Sequence, residues 1–278
     1  MGLKTIDVGL TVGGAVVLAA VGVFAVQTLG LVGLGLALAL AWGLAVAMLL
    51  ELYRRASDQA RRSTETASQG VREAYRQLES LLSLVSLIRL ERPLPSMRGF
   101  AGSPDLLNYL LAEVLNNRPR LVVEASSGVS TLILAYALRM TGSGRVVSLE
   151  HDLEYARRTQ ALIESHGLKD VALVVHAPLR AVEIDSESWR WYDLDAVPRD
   201  QPIDFLVIDG PPHSTQPTAR FPALPLLWSR LNAGAKIVLD DGNRPDERTA
   251  VDKWKARYPD LGVTFLPFEK GLYVLQKP

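Results

Sequence analysis

The chain begins with a stretch that has no alternation of charged and apolar positions. From Val8 to Leu50 it contains no Asp, Glu, Lys, Arg or His, a run of 43 residues built mainly of Gly, Ala, Val and Leu. As one helix this run would reach roughly 65 Å, about twice a hydrocarbon core of ~30 Å. Two spans fit better. The polar pair Gln27-Thr28 and Gly30 lie near the middle, which predicts one helix from about Val8 to Val26 and a second from about Leu29 to Leu50. A secretory signal would have an apolar region of only ~7 to 15 residues. The loop between the spans carries no charge, Lys4 precedes the first span, and Arg54, Arg55, Arg61 and Arg62 follow the second. Positive residues stay on the cytoplasmic side, so both termini and everything after residue 50 are expected there.

Past Glu51 the pattern becomes helical. Ala67, Val71, Ala74, Leu78, Leu81, Val85 and Ile88 follow at alternating spacings of four and three, which is an a/d seam. A long helix over 51–91 is expected, and the seam has two uses: self-association through residues 56–88, or packing on the domain that follows. The two prolines of "RPLPSMRGF", Arg92 to Phe100, end it.

From residue 92 to 278 apolar strands and amphipathic helices alternate. Helices are predicted around 105–115, 130–139, 153–166, 219–231 and 247–258. Strands are predicted at 121–124, 145–150, 171–176, 205–209, 236–240, 263–266 and 272–276, with an irregular stretch, "SESWRWYDLDAVP", after the third. β-branched strands between helices predict an α/β domain with a mostly parallel sheet covered on both faces. The last two strands, joined by "PFEKG", are close enough for a hairpin, so one of them runs antiparallel.

Composition narrows the partners. The 30 basic and 30 acidic residues cancel, and the only basic cluster follows the second span, so nucleic acid is not an expected partner. Cysteine is absent, which excludes disulfides, thiolate metal sites and a Cys nucleophile.

Candidate chemistry gathers at strand ends. "VVEASSGVST" runs from a strand through a slim loop into a helix, where free N–H groups and the helix dipole receive a ligand. The loop has one glycine, Gly128, and the next strand ends on Glu150, 22 residues later. That is close to the ~20-residue offset at which an acid meets ribose hydroxyls. "DFLVIDGPP" ends on Asp209, and "KIVLDDGNR" on Asp240 and Asp241. Strand carboxyl ends face the ligand crevice of an open α/β sheet, so Glu124, Glu150, Asp209, Asp240 and Asp241 are expected along one rim.

In the order "VVEASSGVST", "VVSLEHD", "DFLVIDGPP", "KIVLDDGNR", "EKGLYVL", these motifs resemble the class I S-adenosylmethionine (SAM)-dependent methyltransferases over residues 94–277. The resemblance implies a seven-stranded, doubly wound, Rossmann-like sheet with a reversed last strand. It also implies that Glu124, Ser126 and Gly128 hold the methionine part of SAM, with Ser130 a further cofactor contact, and that Glu150 holds the ribose. His151, His176 and Ala177 would lie beside adenine. Ser126 stands where the family usually has glycine, so a positive φ there would strain it.

Asp209, Asp240 and Asp241 look like the carboxylate set that binds magnesium in catechol-type and sugar O-methyltransferases, where a dication would align and acidify an acceptor hydroxyl. As acid–base residues, Asp209 and His213 are the candidates; the place where the sugar enzymes often carry a further acid is Pro211. Arg220 and Arg244 are placed either on a carboxylate or phosphate of the acceptor or in surface ion pairs, and Trp189, Trp191 and Tyr192 either at the acceptor pocket or over the core.

The reading is a membrane-anchored O-methyltransferase for a small-molecule or lipid-linked acceptor. Its alternative is a non-catalytic binding or assembly module that keeps the fold. Nicotinamide redox chemistry fits poorly with the glycine-poor loop and the reversed strand.

Overall fold

The computed structural model describes residues 8–97 and 101–278; Lys4 and the end of the Arg92–Phe100 segment lie outside the described residues. The chain divides into two compact units, 1–71 and 72–278.

Helix α1, Val8–Leu87, is broken at Gly30, whose φ of 58° and ψ of −138° are not helical. Only a residue without Cβ takes such angles without strain. A Cβ placed on Gly22 would lie 3.9 Å from that of Ala37, so the segments before and after Gly30 approach each other. Among the described residues, the helix from Gly30 onward is the one long and apolar enough to cross a membrane.

The second unit is built on a seven-stranded sheet. Its strands are β1 (Leu121–Ala125), β2 (Arg145–Glu150), β3 (Ala172–His176), β6 (Ile203–Ile208), β7 (Leu231–Leu239), β8 (Gly262–Leu266) and β9 (Leu272–Gln276). They lie in the order β3-β2-β1-β6-β7-β9-β8. All neighbours are parallel except β9, which is antiparallel to both β7 and β8. The expected doubly wound sheet with a reversed last strand is present.

Side-chain alternation along each strand feeds two cores. Leu121, Val123 and Ala125 point to one, with Leu206 and Ile208, while Val122, Phe205 and Val207 point to the other. Helices α2 (Pro104–Asn117), α3 (Val129–Thr141) and α4 (Leu153–Ser165) cover the second face. The end of α1 joins them through Leu84 and Ile88 and through Gln77, whose amide donates to Asp105 at 2.8 Å. The predicted seam is therefore not one face. Of its members Ile88 is buried and Leu81 half-buried, whereas Val71, Leu78 and Val85 are exposed; Leu84, outside the seam, is buried instead.

Two predictions are corrected on the other face. The first part of the stretch expected to be irregular, Ser186–Pro198, is strand β5 (Glu187–Tyr192), which forms an antiparallel hairpin with β4 (Leu179–Ile184) just before it. The helix expected over 219–231 shrinks to α5, Ala223–Leu227, and a 3-10 turn, because Pro222 and Pro225 interrupt its hydrogen bonding. Helix α6, Pro245–Arg257, starts two residues before its predicted position, with proline in its first turn, where a missing N–H costs nothing.

Candidate active site

The β1–α3 loop shapes one half of the rim. Ser126 has φ 130° and Gly128 φ 152°, so the loop keeps a conformation that glycine adopts freely and serine only under strain. Glu124 lies fully buried beneath it, its Oε2 accepting from Thr131 Oγ1 at 2.6 Å and from the Ser148 hydroxyl. Its Oε1 has no partner. Burial raises the Glu124 pKa, and the Ser130, Ser148 and Thr131 hydroxyls oppose that rise. Gly128 N–H donates to Thr131 Oγ1 at 3.0 Å, which fixes the first turn of α3.

Glu150 ends β2 beside this loop. Its carboxylate accepts from Ser127 Oγ at 3.0 Å and from the Asp152 N–H at 3.0 Å. His151 Nδ1 lies 2.9 Å from Glu150 Oε1, and that carboxylate raises the imidazole pKa. Tyr192 packs edge-on to His151, with ring centroids 6.0 Å apart. Gly210 is needed opposite: a Cβ there would stand 2.2 Å from Tyr192 Oη.

The other half holds the acids of β6 and β7. Asp209, Asp240 and Asp241 offer oxygens within 4.8 Å of one another. Arg220, whose side chain is only 5% exposed, enters this group from the segment before α5. Its Nη2 donates to Asp241 Oδ2 at 2.8 Å, to Asp209 Oδ1 at 3.2 Å and to the Asp209 carbonyl at 3.2 Å. Its Nη1 donates to the Asp240 carbonyl at 2.9 Å, and Nε lies 3.6 Å from Glu247 Oε1. Arg244 adds a contact of 2.9 Å to Asp241.

Burial and mutual repulsion set the protonation of these acids. Asp209 is pushed up to about 6, chiefly by burial, with Arg220 holding it down. Asp240 is pushed up to about 8 by burial and then by Asp209 and Asp241. Burial works against the Arg220 charge, but the surrounding carboxylates outweigh it and raise its pKa. Asp241 sits at φ 59°, a left-handed conformation that aspartate tolerates better than most residues.

The two halves meet in a cleft of about 240 Å³. Ser126, Ser127, Glu150, His151, Tyr192, Asp209, His213 and Arg244 are among its walls. His213 is exposed there, on a 3-10 turn after Pro212. Ser130 and Ala177 are buried behind the surface, and His176 lines a separate hollow against α4. Trp189 and Trp191 belong to the core, so of the three aromatic candidates only Tyr192 reaches the cleft.

A larger hollow of about 660 Å³ opens at the opposite end of the sheet, beside Arg120, Asp204 and Asn232. Asp204 there is engaged by the Arg120 N–H at 2.8 Å and the Asn232 amide at 2.7 Å. Ligands of open α/β sheets sit at strand carboxyl ends, so the smaller cleft is the candidate site.

The Glu124 and Glu150 half fits a ligand with an ammonium group and hydroxyls. It offers Glu150, Ser126 and Ser127 on the cleft wall, with the buried Glu124 and its unpartnered Oε1 behind the loop. The Asp209, Asp240 and Asp241 half does not fit magnesium as it stands. A dication ~2.1 Å from the Asp209 and Asp241 oxygens would press against the guanidinium that already holds both. Sequence reasoning missed that role for Arg220, and missed Glu247, Tyr155 and Lys270 at the site altogether. Only its place in "PDE", at the start of a predicted helix beside the rim acids, could have drawn notice to Glu247.

Residues 124–242 match a family model described as a methyltransferase domain. No curated protein matches the chain. Among solved structures, a methyltransferase from Podospora anserina with bound SAH is 16% identical. The match covers 77% of this chain and 96% of that one, with a TM-score of 0.52. An O-methyltransferase from Bacillus cereus in complex with SAH is 21% identical over 73% of this chain and 90% of that one, with a TM-score of 0.49. At 16% identity the likeness to the Podospora structure speaks to the fold alone. The sheet order and the reversed β9 give the globular part of this chain that fold, and residues 124–242 within it are similar to the methyltransferase-domain family.

Proposed function

We propose that the chain is a membrane-anchored, SAM-dependent O-methyltransferase acting on a small-molecule or lipid-linked hydroxyl acceptor at the cytoplasmic face. The observation that carries this reading is the single cleft lined by Glu150, the slim β1–α3 loop and His213. When bound, SAM supplies an electrophilic methyl group on a sulfonium sulfur.

The chain's own residues divide the work. Glu124 provides a buried carboxyl oxygen without a partner for the ammonium group, and the N–H groups opening α3 suit the ligand carboxylate. Glu150, oriented by Ser127 and the Asp152 N–H, accepts from ribose hydroxyls. Tyr192 and His151 narrow the cleft and exclude water from that end. Asp209, held by Arg220, fixes the floor below the acceptor. His213, exposed on the acceptor side, takes the proton that the acceptor hydroxyl loses as its oxygen gains the methyl. Beyond this, methyl transfer needs mainly alignment.

The anchor is proposed as two spans reversing at Gly30. The broken helix there and the approach of Gly22 to Ala37 support it. Self-association is assigned to the exposed stripe Val71, Tyr75, Leu78, Leu82 and Val85, which has heptad spacing.

The test is transfer of labelled methyl from SAM by the full chain in lipid nanodiscs, offered membrane extracts and soluble hydroxyl compounds in turn. Label in an ether product, lost in Glu150→Ala and slowed in His213→Ala, is expected. A folded chain that neither binds SAM nor transfers label would overturn the reading in favour of the assembly module.

A further inference from the structure

Arg220 is the most heavily used charge in the molecule. Its five contacts reach two strand-end carbonyls, two aspartates and Glu247, all from a side chain that is 5% exposed. The two carbonyls belong to Asp209 and Asp240, which follow the neighbouring strands β6 and β7. One guanidinium thus ties the ends of both strands together under the cleft while it offsets part of the negative charge between them.

These are the jobs of a dication in such a cluster: to offset clustered negative charge and to hold oxygens from several strands in one geometry. Guanidinium does both with a planar fork of donors, and its positive charge repels a second cation. Arg244, 2.9 Å from Asp241, adds to that repulsion. We infer that Arg220 is a built-in substitute for a divalent metal, so that the acid cluster positions the acceptor side of the cleft without binding magnesium. The inference rests on the methyltransferase reading for the word acceptor, but its physical content, a cluster closed to metal, stands apart from catalysis.

Arg220 is accordingly a positioning residue, and metal binding reads its role more directly than turnover does. The experiment is titration of manganese(II) into the full chain in nanodiscs, following the paramagnetic signal of the free ion. Wild type should leave manganese free up to roughly millimolar ion, a range in which weak multi-carboxylate sites would already fill. Arg220→Met, which uncovers the carboxylates, should take up one ion per chain at least roughly tenfold more tightly, and Arg220→Met with Asp240→Asn should lose it.

Saturable uptake by wild type that Asp240→Asn abolishes would overturn the inference. So would a folded Arg220→Met protein that takes up none. Should Arg220→Met fail to fold, wild type decides: a melting temperature unmoved by magnesium or chelator supports the inference, and one raised by magnesium through Asp240 refutes it. SAH titration of the same wild-type sample separates the two readings. Loss of SAH affinity would refute the methyltransferase, whereas manganese uptake would refute only the metal-free cluster.

Discussion

On the β1–β2 side of the rim, Glu124 and Glu150 are met by hydroxyls, a backbone N–H and, at Glu150, the His151 imidazole; on the β6–β7 side, the carboxylates of Asp209, Asp241 and Glu247 surround a guanidinium. Neutral donors orient a carboxylate and leave its charge available to a ligand. A buried arginine cancels that charge. The same residue type at equivalent strand ends therefore builds an open half, suited to an ammonium and hydroxyls, and a closed half that serves as a rigid floor.

The comparison breaks most severely at Arg220. Removing one partner of a buried ion-pair cluster leaves uncompensated charge, so Arg220→Met should cost about 3–5 kcal/mol, measured by denaturant unfolding. A loss below about 1 kcal/mol would mean that the acids are solvated. Next comes the open half: Glu150→Ala should weaken SAM binding by about 2–3 kcal/mol, roughly 100-fold in Kd, while leaving folding intact.

Protonation gives a smaller effect with a defined sign. Asp240 holds its proton to about pH 8 when folded, but the unfolded chain releases it near ~3.9. Between those values the unfolded state binds fewer protons, so stability falls as pH rises from about 4 to about 8, then levels off. Asp240→Asn should flatten this slope by on the order of 2 kcal/mol, because the buried Asp209 beside it shares the titration. Melts at a series of pH values measure it, and an unchanged slope would assign the titration elsewhere. The smallest change concerns the open half again: Ser126→Gly should relieve the strain at φ 130°, stabilise the chain by about 1 kcal/mol and tighten SAM binding. A destabilised Ser126→Gly would show that the serine side chain supports the loop.

Much of this was legible in the order of residues. The sheet strands announce themselves as β-branched runs, and the rim acids end them. The β4–β5 hairpin was not legible, because its turn is made by Asp185 and Ser186, at φ 53° and 65°. Both positions of such a turn want positive φ, a signal usually carried by Asn-Gly or Asp-Gly. The shortened α5 could have been read from Pro222 and Pro225. Arg220 could not: its partners come from β6, β7 and α6, and only the folded sheet brings those three elements to one guanidinium. Whether a strand-end acid is open or closed is decided by such long-range partners, so the site's residues were readable and their division of labour was not.

The most direct test is calorimetric titration of SAM into the full chain in nanodiscs, with and without magnesium. Micromolar binding that magnesium leaves unchanged is the predicted result, since the open half binds the ligand and the closed half already has its cation. A folded protein that binds no SAM at millimolar concentration, or binds it only with magnesium present, would contradict the account.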